Sequence, residues 1–104
     1  IKSERRYIKI NFSDILFIEG LKDYSILQLE GQRVITKMNL KNIHEQLPAK
    51  QFLRINKSYI VNTSRIDSFD TNDIFIKSYE IGLGGGNYKK TFFGEFVAKN
   101  LQKD

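Results

Sequence analysis

The feature that most constrains the fold is a series of short apolar runs built from isoleucine and aromatic residues. The chain has fourteen isoleucines, eight phenylalanines and five tyrosines but only two alanines. Branched and aromatic side chains suit the pleated surface of a sheet, whereas an alanine-poor chain gives little support to long helices. The runs are separated by turn residues, which is typical of strands. The sequence therefore predicts a mostly β domain.

Two runs near the start of the chain show the two kinds of strand pattern. The segment Tyr7–Phe12 alternates between apolar and polar residues, which predicts a half-buried strand. The segment Asp14–Glu19 is almost continuously apolar and predicts a more central strand. Further strands are predicted over residues 24–30, 34–36, 52–55, 59–61, 66–70, 73–77 and 80–83.

Two segments have helical spacing instead. Leu40, Ile43 and Leu47 fall on one helical face, with Asn39 placed to cap the first turn and Pro48 placed to stop the helix. This predicts one short helix in the middle of the chain. A second, amphipathic helix is predicted at the C-terminus. Its apolar face consists of Phe92 or Phe93, Phe96, Val97 and Leu101.

Composition and charge limit the classes of function. With 104 residues we expect a single domain over residues 1–104, and the Ile at position 1 suggests a fragment of a longer chain. The absence of cysteine excludes thiol catalysis and disulfides. No apolar run is long enough to span a membrane, so we expect a cytoplasmic domain. The 17 basic and 12 acidic residues leave a net charge of +5, which favours an anionic partner.

The glycine-rich segment Gly82–Asn87 lies between a predicted strand and a predicted helix, as a nucleotide-binding loop does. Its spacing does not fit, because Asn87 stands at the third glycine position and Lys89 stands where a phosphate-binding loop needs glycine. The carboxylates Asp67, Asp70 and Asp73 are best explained as turn residues. We therefore expect no enzyme activity, no metal and no cofactor.

Basic residues are concentrated where acidic residues are missing. Residues 51–64 and 81–94 contain no acid. The cations in these stretches, with one in the turn after the second strand, are Lys22, Arg54, Lys57, Lys89 and Lys90. The neutral residues interleaved with them are Tyr24, Asn56, Ser58 and Asn87. If the sheet brings these segments to one edge, the mixture suits phosphates and base edges; the alternative is an ordinary set of surface lysines.

The segment Phe52–Asn62, followed by Ile66, closely resembles the signature of LytTR-type DNA-binding domains. Asp14–Glu19 with the aromatic Tyr24 is similar to a second part of that family's pattern. The mid-chain helix and its Leu47-Pro48 end, and Gly84 with Tyr88-Lys89, are similar to two more. The resemblance extends over essentially the whole chain.

The resemblance implies a mostly antiparallel β fold, with strands in small packed sheets and two short helices, that reads DNA through loops. It also implies the output domain of a bacterial two-component response regulator, bound as a dimer to double-stranded DNA at repeated promoter sites. The implied partners are an N-terminal receiver domain and an upstream sensor kinase.

Transferred to this sequence, the family pattern implies three contacts with DNA. The first is made by Lys22, Asp23 and Tyr24, and the second by Asn56, Lys57 and Ser58 with Arg54 nearby. The third is made by Asn87 and Lys89 with Gly86, and the alternatives there are backbone N–H groups of the glycine turn or Lys90 shifted into place. The chain departs from the family at Asn56, where His is common, and at Gly85 and Gly86, where a basic residue is common. An arginine placed at Gly86 is therefore expected to add affinity.

Two other functions fit the sequence less well. One is single-stranded nucleic-acid binding, in which exposed aromatic rings stack on bases. The other is a protein-interaction module with an exposed sheet edge and incidental basic charge. Against stacking, we assign Phe17, Phe52, Tyr59, Phe92, Phe93 and Phe96 to the core. We also expect Asn62 to tie down the loop backbone rather than contact DNA.

Overall fold

A computed structural model describes residues 1–3 and 6–100 of the chain, and these residues form a mostly β fold with antiparallel pairing throughout. The strands of the described part are β1 (Lys2–Ser3), β2 (Arg6–Tyr7), β3 (Ile15–Gly20), β4 (Ser25–Leu29), β5 (Gln32–Thr36), β6 (Phe52–Arg54), β7 (Tyr59–Asn62), β8 (Ser68–Phe69), β9 (Asp73–Ile76) and β10 (Tyr79–Gly82). The predicted fold class is confirmed.

The central element is a five-stranded sheet in the order β5-β4-β3-β7-β6. The continuous apolar run that predicted a central strand is β3, which pairs with β4 on one side and β7 on the other. Both faces of β3 are covered, because Ile18 pairs with Leu27 and Ile60 on one face while Phe17 lies on the other. This explains why β3 is apolar at successive positions rather than at alternate ones.

Each face of the sheet has its own hydrophobic core. One core packs under a short mid-chain helix, α1 (Leu40–Glu45), and its buried members are Ile15, Ile18, Leu27, Val34, Leu40, Ile43, Phe52 and Ile60. The other packs under a three-stranded sheet, β10-β9-β8, and the C-terminal helix. Its buried members are Leu16, Phe17, Ile55, Val61, Ile74, Ile76, Ile81, Leu83 and Phe92.

The mid-chain helix begins where the sequence predicted. The Asn39 side chain accepts a hydrogen bond of 2.8 Å from the Asn42 backbone N–H, as an N-cap should. The helix ends at Glu45, before Pro48, and Leu47 still packs on the core. A β-carbon at Gly20 would lie 2.8 Å from the β-carbon of Leu40, so only glycine lets α1 approach the end of β3 this closely.

The C-terminal helix is continuous from residue 87 to 100 but changes its winding. It consists of α2 (Asn87–Thr91), a π-helical segment (Phe92–Val97) and α3 (Ala98–Asn100). The buried Phe92 and its neighbours Phe93 and Phe96 all pack edge-on against Phe69, which fastens this helix to the three-stranded sheet. Leu101, the last residue of the predicted apolar face, lies outside the described residues.

The predicted strand Tyr7–Phe12 is wrong. Only Arg6 and Tyr7 pair, with the two residues of β1, and Phe12–Asp14 form a turn of 3₁₀ helix. Ile8 and Ile10 lie against the core under α1 without joining the sheet. Alternation reports that a segment has one buried face, and an unpaired extended segment shares that property with a strand.

Candidate nucleic-acid interface

Three chain connections that are far apart in sequence meet at one end of the five-stranded sheet. They are the β3–β4 turn (residues 21–24), the β6–β7 loop (residues 55–58) and the β10–α2 connection (residues 83–86). The backbone N–H of Gly20 donates to the carbonyl of Ser58 at 2.7 Å, which joins the first to the second. The N–H of Gly84 donates to the carbonyl of Ile55 at 2.8 Å, which joins the second to the third.

Sheet pairing explains the convergence. Because β3 and β7 are antiparallel, with Glu19 opposite Tyr59, the end of β3 lies beside the start of β7. The antiparallel pairing of β6 with β7 then places residues 55–58 at the same edge as residues 21–24. The sheet therefore assembles in space the basic segments that the sequence singled out.

Two side chains hold the β6–β7 loop in shape, that of Asn56 within the loop and that of Arg54 at the end of β6. The Oδ1 atom of Asn56 accepts hydrogen bonds from the backbone N–H groups of Ser58 at 2.7 Å and Tyr59 at 2.8 Å. The half-buried Arg54 donates from Nε to the Asn56 carbonyl at 3.3 Å and from a terminal nitrogen to the Lys57 carbonyl. Lys57 and Ser58, at the tip, are exposed. The loop is thus held from behind while its tip faces solvent.

The glycines of the β10–α2 connection have different constraints. A β-carbon at Gly84 would lie 2.8 Å from Cδ2 of Tyr88 and 3.2 Å from the Ile55 carbonyl oxygen, so this position requires glycine. Gly86 has φ 58° and ψ −126°, a conformation that residues with a β-carbon rarely adopt. Gly85 has no neighbour within 4 Å of an added β-carbon and no positive φ. An arginine at Gly86 would therefore be strained, whereas Gly85 has open space for a side chain.

The predicted site residues fall into two groups by accessibility. Exposed at this end are Lys22, Asp23, Tyr24, Lys57, Ser58, Asn87 and Lys90. Half-buried are Arg54, Asn56 and Lys89. The ion pairs found among the described residues both involve Glu30, which binds Arg65 and Lys77 elsewhere on the molecule. Within residues 1–3 and 6–100, the cations at this end therefore form no ion pair with a carboxylate.

A shallow groove of about 500 Å³ runs between the β6–β7 loop and the β10–α2 connection. Tyr59 and Tyr88 line it, and neither is among the site residues predicted from the sequence. Burial raises the pKa of the Tyr59 phenol above its usual value, and the negative charge of Glu19 raises it further. The phenol therefore stays protonated at neutral pH. Only the contact between two distant connections creates this groove, so no local signal identifies its lining.

The expected structural function of Asn62 fits the geometry. Its side chain is fully buried and donates to the carbonyls of Phe12 at 3.2 Å and Ile15 at 2.8 Å. Its Oδ1 accepts from the backbone N–H and the hydroxyl of Ser64. Asn62 lies at the end of β7 opposite the interface, where it ties together three segments of backbone.

The fold and this edge define a class: a small, mostly antiparallel β domain with a cationic surface built from loops. The family model of the LytTr DNA-binding domain matches residues 5–93, and the chain belongs to that family. No match was found among curated proteins. Within the described residues, no helix is long and apolar enough to cross a membrane.

A solved structure has the same fold. It is the LytTr DNA-binding domain of a protein described as a methyl-accepting/DNA response regulator from Bacillus cereus. The two share 19% sequence identity and superpose with a TM-score of 0.75, over 89% of this chain and 90% of that one. At this identity the likeness supports the fold and not the individual contacts.

Proposed function

We propose that the domain binds double-stranded DNA with sequence preference through the three converging connections. The observation that carries the proposal is the pair of backbone hydrogen bonds, Gly20 to Ser58 and Gly84 to Ile55, that fixes the three connections in one surface, with the lysines of α2 directly following the third. Cations on such a surface neutralise phosphates, while its polar side chains can hydrogen-bond base edges in a groove.

The proposed contacts follow from accessibility. Lys22 in the β3–β4 turn and Lys89 and Lys90 in α2 bind phosphates, since long flexible ammonium side chains suit that contact. Lys57 at the loop tip and Asn87 at the first position of α2 read base edges, and Ser58, Asp23 and Tyr24 complete the polar surface. Arg54 contributes charge mainly from behind the loop, because part of its guanidinium already binds two loop carbonyls.

The biological setting follows from the family. We propose that the domain is the output module of a two-component response regulator, joined to a receiver domain that a sensor kinase phosphorylates. Binding as a dimer to repeated promoter sites fits the small size of this single-domain surface, because two half-sites multiply the specificity of one.

Competition binding tests the proposal against single-stranded binding. A labelled duplex selected from a random pool is displaced by unlabelled copies of itself, by a random duplex and by the separated strands. We expect the selected duplex to compete best and the single strands worst. Stacking has weak support in the geometry, because Phe17, Phe52 and Phe92 are buried and Tyr24 is the one exposed aromatic residue among the proposed contacts. Preference for single strands contradicts the proposal.

Binding to duplex DNA at low salt distinguishes the proposed function from the remaining alternative, a protein-interaction module. A protein-interaction module whose basic charge is incidental shows no sequence-dependent affinity for duplex even at low ionic strength. The proposed domain is expected to show both a general affinity for duplex, which falls with salt, and a preference that survives as salt rises.

A further inference from the structure

The Asn56 side chain lies between two of the three connections and contacts both. Its Nδ2 donates to the carbonyl of Gly82, at the end of β10, at 2.6 Å, and we call this hydrogen bond the Asn56 bridge. We propose that Asn56 is a positioning residue that holds the β6–β7 loop and the β10–α2 connection in one relative arrangement, so that base preference at both depends on it. The inference rests on the proposed duplex-binding function.

The hydrogen-bonding capacity of Asn56 argues against a base contact. Its Oδ1 has two lone pairs, and both are used by the backbone N–H groups of Ser58 and Tyr59. One of its two amide hydrogens is used by Gly82. A bidentate contact with adenine needs both an acceptor and a donor, so Asn56 makes such a contact only by giving up the bonds that shape its own loop.

A second hydrogen bond beside the Asn56 bridge fixes the position of the β10–α2 connection relative to the β6–β7 loop. The N–H of Gly84 donates to the Ile55 carbonyl at 2.8 Å, one residue before Asn56. A β-carbon added at Gly84 would lie 3.3 Å from the β-carbon of Asn56, which is tighter than ordinary van der Waals contact, so the two segments lie close together. Two hydrogen bonds between closely apposed segments restrict rotation of one segment against the other, which a single bond does not.

A fixed arrangement matters differently for phosphate and base contacts. Lysine side chains are long and flexible and reach a phosphate over a range of loop positions. Base edges are read by directional hydrogen bonds that weaken steeply with misalignment. Loss of the Asn56 bridge between the β6–β7 loop and the β10–α2 connection is therefore expected to lower affinity for the preferred site. Affinity for random duplex should stay almost unchanged.

Two substitutions separate the bridge from the loop turn. Asn56→Ala removes all three hydrogen bonds, whereas Asn56→Ser keeps a short oxygen acceptor for the N–H groups of Ser58 and Tyr59 but cannot reach Gly82. Neither changes the net charge. We expect each to lower affinity for the selected duplex about fivefold to tenfold, the loss typical of one well-placed hydrogen bond, and to leave random duplex within about twofold.

The decisive measurement is the base preference of each variant, determined by repeating the selection from a random pool. The proposal predicts that Asn56→Ser relaxes preference at two groups of positions, those that Lys57→Ala relaxes and those that Asn87→Ala relaxes. If preference is lost at one further position of its own, Asn56 reads a base and the proposal is overturned. Wild-type preference in Asn56→Ser also overturns it, because the bridge then has no effect on recognition.

Amide hydrogen exchange of the DNA-free protein tests independently whether the Asn56 bridge holds the β6–β7 loop against the β10–α2 connection. We expect faster exchange at Gly84 in both variants, and faster exchange at Ser58 and Tyr59 only in Asn56→Ala. Unchanged exchange at Gly84 overturns the proposal even where DNA binding is altered. If wild-type protein shows no preference among duplexes, the proposed function fails instead, and exchange at Gly84 still decides whether the bridge joins the two segments.

Discussion

At the scale of single residues, the two asparagines of the central motif have opposite surroundings and similar tasks. Asn62 is completely buried and fully hydrogen-bonded, whereas Asn56 is half-buried at the interface. Each side chain satisfies backbone groups of segments distant in sequence, since Asn62 binds Phe12 and Ile15 while Asn56 binds Gly82. Short amides are suited to this work because they carry donors and acceptors on a stiff stem.

Replacing Asn62 with Ala is expected to lower the free energy of unfolding by about 2 to 4 kcal/mol. The substitution leaves the buried Ile15 carbonyl without one of its donors and removes the acceptor of Ser64. Urea unfolding followed by circular dichroism measures this as a lower midpoint with an unchanged slope. Asn56→Ala is the matched control and should lose clearly less, because water replaces its partners. Equal losses contradict the distinction between a buried and an interfacial amide.

Lys57→Ala is expected to weaken binding to the selected duplex by about 1 to 3 kcal/mol and to relax preference at one position. Lys57 is exposed at the tip of the loop, where a side chain can enter a groove. Lys99→Ala is the matched control, since Lys99 lines a groove with Thr63, which follows the opposite end of β7. A loss that is equal for selected and random duplex means that Lys57 is only a phosphate contact.

At the scale of elements, local sequence signals predicted where individual helices and strands lie, but they did not predict which strands pair with each other. Asn39 and the spacing of Leu40 and Ile43 placed the start of α1 at the right residue, because capping acts within one turn. The acid-free segments 51–64 and 81–94 could also be identified, since charge is read directly from the sequence. The pairing of β3 with β7 and the contact of Asn56 with Gly82 join residues 26 or more positions apart, and no local pattern encodes them.

The β10–α2 connection offers a test in which neighbouring glycines behave differently. Gly85→Arg adds a cation in open space beside the proposed DNA surface and should tighten duplex binding several-fold at low salt. Gly86→Arg adds the same charge but places a residue with a β-carbon at a positive φ, so it should lower thermal stability. Binding titrations and melting curves of both variants distinguish charge from strain. Weaker binding by a folded Gly85→Arg variant shows that DNA approaches the backbone there too closely for a side chain.

The turn between β4 and β5 is linked to other elements by a charge cluster, and this gives a pH dependence. Lys77 and then Arg65 hold the pKa of the Glu30 carboxyl below its usual value. A carboxyl whose pKa is lower in the folded state stabilises the fold at higher pH, and that contribution is lost as pH falls through the folded pKa. Wild-type protein should therefore lose thermal stability below about pH 4.5 more steeply than Glu30→Gln. Parallel curves contradict a stabilising cluster, which screening keeps small at this exposed site.

At the scale of the whole molecule, which measures 46 × 25 × 23 Å, the proposed DNA surface occupies one end of the five-stranded sheet. The three cations proposed to bind phosphates here are Lys22, Lys89 and Lys90. Each phosphate neutralised releases condensed counterions, so about three contacts predict a slope of about −3 in log affinity against log salt concentration. Titration of the isolated domain with random duplex between about 50 and 200 mM salt measures this slope, and removing Lys22 and Lys90 together should make it shallower by about 2. The double substitution of Lys50 and Lys99, at the far groove, removes the same net charge and should leave the slope unchanged. Equal shifts from the two double variants mean that DNA responds to the total charge of the molecule and not to the surface built by the three connections.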